Sequence, residues 1–464
     1  MNLIISKARE AQEQWAKTTI KERVKKLKEL QSLVCDKTND ITKIIKQETG
    51  KPIIEALNSD VIAGLGSIKY CSIMIKEFLK PYKIQFKGMR LPLWYMGRES
   101  YIKPRPLGVI GIISPWNFPF GIPFSQTVMS IAAGNSVILK PSSMTPKTGL
   151  MIGELFKKVF PKNLVQVITG PGSKVGKSLV ESNIDRLIFT GSVEVGREIL
   201  KLSAQQLTPV TLELSGKSPM IILEDTDLSR TVKGAVYACF LNAGQVCSGV
   251  KRIYVHERIL DEFIKSFIEQ TRKLEVNQLI NERAVNKTKQ YIKKLNGKVL
   301  LGGKSKGLYF EPTIITNAKQ VTDEIFGPVV TITKFSSEQQ AINLANNSNF
   351  ALFASIWTKD LNKGERMASL LKHGSVAVNN HTYTYGLPQT PWGGSGNSGI
   401  GLTHGEFGFK ELIQPQHVHV DKGRVKQDLW WPPYTDEKLK AQQDLIDLLF
   451  KGKYWKLLNL TKML

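Results

Sequence analysis

The 464-residue sequence contains only four cysteines, Cys35, Cys71, Cys239 and Cys247. That is too few for a disulfide framework at this length. None forms a CxxC pair, so zinc-ligand spacing is missing and no metal is expected. No apolar run approaches the length of a membrane span. The N-terminal MNLIISKAREAQEQW has a brief apolar run but no signal-peptide core. These absences point to a reducing, cytoplasmic compartment. Acidic residues are scarce too: 40 Asp and Glu face 64 Lys and Arg, a net charge of +24. Such an excess can serve nucleic acid, an anionic membrane or anionic substrates. The lysines are spread along the chain, with no block of five and no nucleic-acid module. The excess therefore reads as a lysine-rich solvated surface, and no nucleic-acid partner is expected.

What is present is ordinary for a folded α/β protein: 42% hydrophobic residues, 37 Gly and 21 Pro. The length exceeds what one growing core accommodates, so two or three domains are expected. From about residue 7 to 80 apolar residues recur at helical spacing, with Gly50 and Pro52 as a stop. MRLPLWYMGRESYIKPRP then suits an extended ribbon. The runs LGVIGIISPWN, SVILKPSS, LVQVITG, RLIFTGS, PVTLELSG and SPMIILED alternate with helix signals. That alternation implies a parallel sheet covered on both faces. A second α/β block, from about 224 to 408, carries RIYVHERI, TIITNA, VVTITKF and ASIWTKD. QPQHVHVD alternates as an edge strand should. The tail from LWWPPY onward reads as a Pro-broken turn and a partly amphipathic helix.

GPGSKVGKSL nearly spells a phosphate-binding Walker loop. That loop needs four residues between its glycines, whereas Gly172 and Gly176 enclose three, so an ATPase is disfavoured. A strict GxGxxG is also missing. FTGSVEVG, with Gly191 and Gly196, follows a strand, and LKPSS stands at another strand end. Alone each is an ordinary turn; together they suggest a dinucleotide over the C-terminal ends of a parallel sheet.

Three short segments sharpen the chemistry. SPWNFPF offers Asn117, an amide donor in a rigid Pro/aromatic frame. TLELSGKSP offers Glu213 at the end of a β-run. GQVCSG offers Cys247 among small residues. A thiolate can attack a carbonyl carbon, an amide and a backbone N–H can hold the oxyanion, and a carboxylate can activate water to release the acyl group. Singly, each residue has a plainer role: a small buried hydrophobe, a turn-forming Asn, a solvated strand-end carboxylate.

Taken with ETGKP (48–52), PWNFP, GNSVILKPS, EIFGPV (324–329) and PWGGSGNSGIG (391–401), the joint pattern resembles the aldehyde dehydrogenase superfamily over roughly residues 7 to 422. The resemblance implies an α/β fold of two doubly wound parallel-sheet domains. A dinucleotide-binding domain would span 1–87 and 107–215, and a catalytic domain 216–408. An oligomerisation ribbon, 88–106 with 409–422, would pair subunits into a homodimer or homotetramer, and 423–464 would be a helical extension. Cys247 would be the nucleophile, Asn117 and the Cys247 N–H the oxyanion hole, and Glu213 the base. NAD or NADP would be bound by Ser114, Pro115, Trp116, Lys140, Ser142 and Ser143, and by Gly172 and Gly176. Phe189, Thr190, Gly191, Ser192 and Gly196, with Glu213, Leu214, Glu324 and Phe326, would complete that set. Lys140 would hold the adenosine ribose and Glu324 the nicotinamide ribose.

Departures from the family pattern carry their own expectations. Ser143 stands where many NAD-preferring members place a glutamate, which removes a repulsion toward a 2′-phosphate and favours NADP. Ser215 replaces a glycine beside the base. Gln126 replaces a lysine, which leaves the proton path from Glu213 less defined. Phe118, Phe124, Tyr383 and Trp392 are the expected substrate contacts, with Trp116, Phe120 and Tyr385 nearby. No arginine is evident there to pair a second carboxylate, so a medium-to-large apolar or aromatic aldehyde is favoured over succinic semialdehyde. The tail suggests peripheral contact with a membrane surface or packing on a subunit. A CoA-acylating enzyme and a non-catalytic relative are the competing readings; Glu213 speaks against the first, and intact Cys247, Asn117 and Glu213 against the second.

Overall fold

The N-terminal helical periodicity is realised as helices Asn2–Ala16, Ile20–Asp36 and Thr38–Thr49, then Ile53–Ala56, a wider helical turn over Leu57–Ile62, and Ala63–Phe78. In this computed structural model residues 1–85, 98–319, 323–381, 383–424 and 426–456 are described, without the side chains of Tyr383 and Tyr454. Thr19 opens the second helix with a capping box: its hydroxyl accepts from the Glu22 N–H, and the Glu22 carboxylate answers its backbone.

Two sheets follow. The first takes β1 (Val109–Ile113), β2 (Ser136–Lys140), β3 (Val165–Val167), β4 (Arg186–Thr190) and β5 (Val210–Glu213). These are parallel, in the order β5-β4-β1-β2-β3, and a short antiparallel strand, Gly399–Ile400, closes the β5 edge. Every residue of β1 and β2 is buried, as a sheet covered on both faces requires. The chain leaves β1 in one direction to β2 and β3, then returns to the other side for β4 and β5. The reversal lies between β1 and β4, and a crevice opens at such a point beyond the strands' C-terminal ends.

The second sheet contains β6 (Ser218–Ile222), β7 (Val250–His256), β8 (Lys298–Leu301), β9 (Thr313–Thr316), β10 (Val329–Phe335), β11 (Phe353–Trp357) and β12 (Ser375–Val378). Its order is β8-β9-β10-β7-β6-β11-β12, parallel except at the β8–β9 pair. Met220, Ile222, Ile253, Val255 and Ile332 pack beneath Phe240, Phe263 and Phe267 of the covering helices. Each of the sequence's β-rich runs became a strand of one of these sheets. The link Leu214–Lys217 alone joins β5 to β6, so Glu213, at the C-terminal edge of the first sheet, stands next to the N-terminal edge of the second.

Residues 79–105 and 414–464 form a separate compact unit. Its sheet runs Tyr82–Lys83, Arg98–Pro106, Ile413–Asp421. The QPQHVHVD segment is an outer strand, and residues 88–97 of the expected ribbon lie outside the described residues. Arg98 donates to both Asp421 and Asp428. Among the described residues the tail forms the helix Asp436–Lys451, whose Ala441, Leu445 and Leu448 pack on Leu429, and a short helical turn at Tyr454–Lys456. Among the described residues no helix is long and apolar enough to cross a membrane.

Candidate active site

A cavity of about 1150 Å³ opens at the reversal between β1 and β4. Cys247 and Asn117 both line it. Cys247 sits just before β7, on a loop whose Asn242, Ala243 and Gly244 are all left-handed, at φ 50°, 52° and 69°. Two non-glycine residues in that region cost about 1–3 kcal/mol each and persist only where neighbours over-determine them. They do here. Glu55 accepts the Asn242 N–H at 3.0 Å, and the Asn242 side chain donates to Asn117 O at 3.1 Å. Gln245 Nε2 donates to Asn242 O at 3.0 Å, while its Oε1 accepts from Ile280 N at 2.9 Å. The buried Lys251 donates to Gly244 O at 2.6 Å and Gly327 O at 3.0 Å. A Cβ on Gly244 would lie 2.3 Å from Gly327 O, so the glycine before Gln245 is required both by its φ and by that approach.

Asn117 follows β1 and is anchored from a different part of the chain. Lys51 Nζ donates to Asn117 O at 2.7 Å and pairs with Asp60 Oδ2 at 2.8 Å, both side chains fully buried. The other Asp60 oxygen accepts from Phe120 N at 3.1 Å and Gly121 N at 2.9 Å. Asn117 Nδ2 donates to Gln245 O at 3.0 Å. An amide nitrogen carries two hydrogens, so a second remains for the cavity.

Glu213 is buried, and its Oε1 accepts from Thr403 Oγ1 at 3.3 Å. Its carboxyl does not line the cavity, although the next residues, Leu214 and Ser215, do. Burial raises its pKa well above the carboxylate range, and the Thr403 hydrogen bond only partly opposes this. Burial likewise pushes the Cys247 thiol up to about 12, helped by the nearby Glu324 and Glu213 carboxylates. Glu324 is also raised by burial and is steadied by the Ser215 side chain and by Gly216 N at 3.1 Å. The serine expected beside the base thus bonds a different carboxylate. Gln126 donates to Thr190 Oγ1 at 3.3 Å, while its buried Oε1 has no partner.

Of the expected cofactor contacts, Pro115, Trp116, Thr190, Gly191, Ser192, Leu214, Glu324 and Phe326 line the cavity; Ser114, Lys140, Ser142, Ser143, Gly172, Gly176, Phe189 and Gly196 do not. Lys140 and Gly172 nevertheless meet: a Cβ on Gly172 would lie 4.0 Å from Lys140 Nζ. The glycines of the near-Walker stretch form a wide helical turn. Phe189 lies under Gly191, where a Cβ would approach its ring to 2.5 Å. Trp116 and Phe326 meet edge to face at 5.6 Å.

The substrate contacts divide. Neither Phe118 nor Trp392 lines the cavity: Phe118 joins Ile122, which does, with Leu241, Val246 and Tyr385 in one buried apolar cluster. Trp392 joins Leu352 and Phe353 in another, against which Cys247 packs. Phe124 does not reach the site: it is fully buried, stacked on Phe120 at 4.5 Å and against Phe156 at 5.4 Å. The side chain of Tyr383 lies outside the described residues. Sequence reasoning missed Lys51 and Asp60 as anchors, Thr403 at Glu213, and the cations Arg197, Lys201, Arg283 and Lys287 on the cavity wall. The spacing of Arg197 and Lys201, one helical turn apart after Ser192, was a usable signal for the last group.

These residues fit a nicotinamide dinucleotide. The buried Ser114 Oγ, one residue before the cavity-lining Pro115, has no partner. Ser192 caps the helix Val193–Gln206, so that helix directs its N-terminal amides toward the cavity. Glycine at 191 keeps the backbone bare there.

The aldehyde dehydrogenase family model matches residues 1–418, and the chain belongs to that family. It is an NAD(P)-dependent oxidoreductase that converts an aldehyde into the carboxylic acid. It is similar to a Mycobacterium tuberculosis protein provisionally named succinate-semialdehyde dehydrogenase [NADP(+)] 2, 32% identical over 89% of this chain and 83% of that one. A 4,4′-diapolycopene aldehyde oxidase from Methylomonas is 30% identical over 96% of this chain and 86% of its own length. Among solved structures, a point mutant of betaine aldehyde dehydrogenase from Staphylococcus aureus with NAD+ superposes with a TM-score of 0.86. It is 32% identical, covering 92% and 91% of the two chains.

Replacing Lys51 by Met leaves Asp60 buried without its ion partner and is expected to lower the unfolding free energy by about 3–5 kcal/mol. Denaturant unfolding of both proteins measures this, and a loss under about 1 kcal/mol would remove the pair from its anchoring role.

Proposed function

We propose that Cys247 is the nucleophile, Asn117 and the Cys247 N–H the oxyanion hole, and Glu213 the base, acting on an apolar aldehyde. The observation that carries this reading is the shared cavity of Cys247 and Asn117, into which Asn117 has one amide hydrogen to spare. A thiol held near 12 is protonated at rest, so its proton must leave as sulfur bonds the carbonyl carbon. Glu213, whose raised pKa suits a base working near neutrality, takes it directly or through water. The oxygen of the thiohemiacetal then gains charge opposite Asn117 Nδ2 and the Cys247 N–H. The nicotinamide, when bound, supplies the hydride acceptor. Once that first proton has passed from Glu213 to solvent, the carboxylate removes a proton from water, whose oxygen attacks the thioester carbon. The C–S bond breaks, the acid departs and the sulfur takes a proton back from Glu213.

For this role Glu213 must turn from Thr403 toward the cavity. Cys247→Ala is expected to abolish NAD(P)H formation from an aldehyde. Glu213→Gln is expected to cut kcat about 100-fold or more, the ordinary worth of a general base. Since the base works unprotonated and burial raises its pKa, kcat of the native enzyme should climb with pH above the usual carboxylate range. A Cys247→Ala protein that still turns over excludes the mechanism.

The apolar clusters of Phe118 and of Trp392, which reach the cavity through Ile122 and Cys247, support an apolar substrate. The lysine that reaches them, Lys51, sits 4.3 Å over the Phe118 ring and is already paired with Asp60. Succinate semialdehyde would bring a carboxylate that these apolar side chains do not pair, whereas the 4,4′-diapolycopene aldehyde named for the Methylomonas relative makes no such demand. Ser143 is exposed beyond β2, and the missing carboxylate there supports NADP as the preferred cofactor. Ser143→Glu is expected to shift the kcat/KM ratio toward NAD by at least about tenfold, or about 1.4 kcal/mol; native enzyme already strongly selective for NAD defeats this assignment.

Homo-oligomers would form by pairing the outer strand Ile413–Asp421 with a second copy, and the few cysteines suit a reducing cytoplasm. The tail supports reversible contact with a membrane surface. Leu439, Ile446 and Phe450 are exposed on the face of its helix opposite Ala441 and Leu448, and Trp430, Trp431 and Trp455 are exposed beside it. Deleting residues 435–464 should abolish co-sedimentation with anionic liposomes; an intact protein that stays in the supernatant ends this part of the reading.

A further inference from the structure

A second clamp holds the nucleophile's backbone, independently of the loop that precedes it. His381 Nε2 lies 2.8 Å from Ser248 O, the carbonyl immediately after Cys247. Its Nδ1 lies 2.7 Å from Ser355 Oγ, and Trp357 Nε1 donates to that same hydroxyl at 3.1 Å. The direction of each bond follows from donor chemistry. A carbonyl only accepts, so Nε2 carries the hydrogen. In the neutral ring Nδ1 must then accept, so the Ser355 hydroxyl donates to it. An indole N–H only donates, and the remaining Ser355 lone pair receives it. Ser355, Trp357 and His381 are all buried, so water does not compete for these bonds.

The ring's plane is fixed too: Phe353 meets it edge to face at 4.7 Å. Burial lowers the His381 pKa to about 4, which keeps the ring neutral and the assignment unique at working pH. On the other side, a Cβ on Gly216 would lie 2.0 Å from Cys247 O. The Cys247 carbonyl therefore presses on bare backbone from the β5–β6 link, while the Ser248 carbonyl is held by His381 from the segment after β12.

We infer that His381, set in one tautomer by Ser355 and Trp357, is a positioning residue that orients the Ser248–Gly249 peptide and, through Ser248, the Cys247 backbone and its sulfur. The inference rests on Cys247 being the nucleophile. It assigns a function to the histidine of NNHTYTYG that neither hydride transfer nor hydrolysis uses. A displacement of about 1 Å at a reacting atom costs on the order of 100-fold in rate, so a carbonyl tether one residue from the sulfur has leverage on kcat and little on cofactor binding.

The test compares His381→Leu, which removes the donor, with His381→Gln, whose amide can still donate to Ser248 O. His381→Leu should lower kcat about 30- to 100-fold while KM for NAD(P) stays within about twofold. The rate of Cys247 alkylation by iodoacetamide in cofactor-free protein, followed by peptide mass spectrometry, should change at least about threefold. His381→Gln should return both to within about fivefold of native. Equal losses in the two variants, or a folded His381→Leu protein with native kcat and alkylation rate, overturn the inference. Should His381→Leu fail to fold, Ser355→Ala serves instead: it frees the tautomer and should lower kcat about 3- to 10-fold, and a native kcat there overturns the inference equally. The alkylation readout needs no turnover, and an active Cys247→Ala enzyme would remove the premise, so the two failures are distinguishable.

Discussion

The site depends on one buried ion pair. Two charges taken wholly out of water are tolerated only if nearly every donor and acceptor they carry is used. Lys51 gives its ammonium hydrogens to Asp60, to the Asn117 carbonyl and toward the face of Phe118. Asp60 spends its second oxygen on the Phe120 and Gly121 amides. The pair is thus completed by the backbone of the segment that presents Asn117, and neither charge is satisfied unless that segment takes this path. From Asn117 the constraint passes on: its side chain holds Gln245 O, Gln245 holds Asn242 and Ile280, and the left-handed turn that lifts Cys247 is fixed as a result.

Three acidic groups, Cys247, Glu213 and Glu324, share a dry neighbourhood that raises all three pKa values. A low-dielectric site resists several simultaneous negative charges, so ionising one makes the others harder to ionise. At rest the arrangement favours a protonated thiol, which is slow to oxidise because the thiolate is the reactive form. Glu324 is given two fixed donors, the Ser215 side chain and the Gly216 amide, and Glu213 a single hydroxyl at 3.3 Å. The difference suits the roles proposed for them: a carboxylate that would hold a ribose should stay where it is, and one that would turn toward sulfur and water as a base should be weakly held.

Much of this was legible in the sequence, and the reason is local. The strands of the first sheet are continuous apolar runs because both faces are covered, and Asn117, Glu213 and Cys247 stand in short segments whose small or rigid neighbours mark close backbone approach. What was not legible is long-range. Lys51 reads as one lysine among many, since nothing local announces that Asp60 and Asn117 will bury it. Thr403 and His381 are ordinary residues in a Gly-rich and a Tyr-rich stretch; they matter only after the chain returns beside β5 and β12. Phe124 went astray for the converse reason. Its helix, Gly121–Ala132, is buried all round, so an aromatic one turn beyond the site faces Phe120 and Phe156 instead of the cavity.

The link Leu214–Lys217 shows why the two sheets have to be read as one machine. In the first sheet the functional groups emerge at C-terminal strand ends, where the order reverses and a crevice must open. In the second they lie at N-terminal ends: Cys247 before β7, Gly216 before β6. A connection this short leaves little freedom, so the two edges face one another, and Glu213 and Cys247 fall at the seam. Within the seam each side supplies what its strand ends provide naturally. The first sheet offers helix amides, bare glycine backbone and the Glu213 carboxyl; the second offers a strained loop whose carbonyls are held from both sides. The apolar clusters of Phe118, Leu241, Trp392 and Leu352 come from loops and segments beyond these edges, so under the proposed function the aldehyde accepted would vary by substitution there while the backbone around Cys247 stays held.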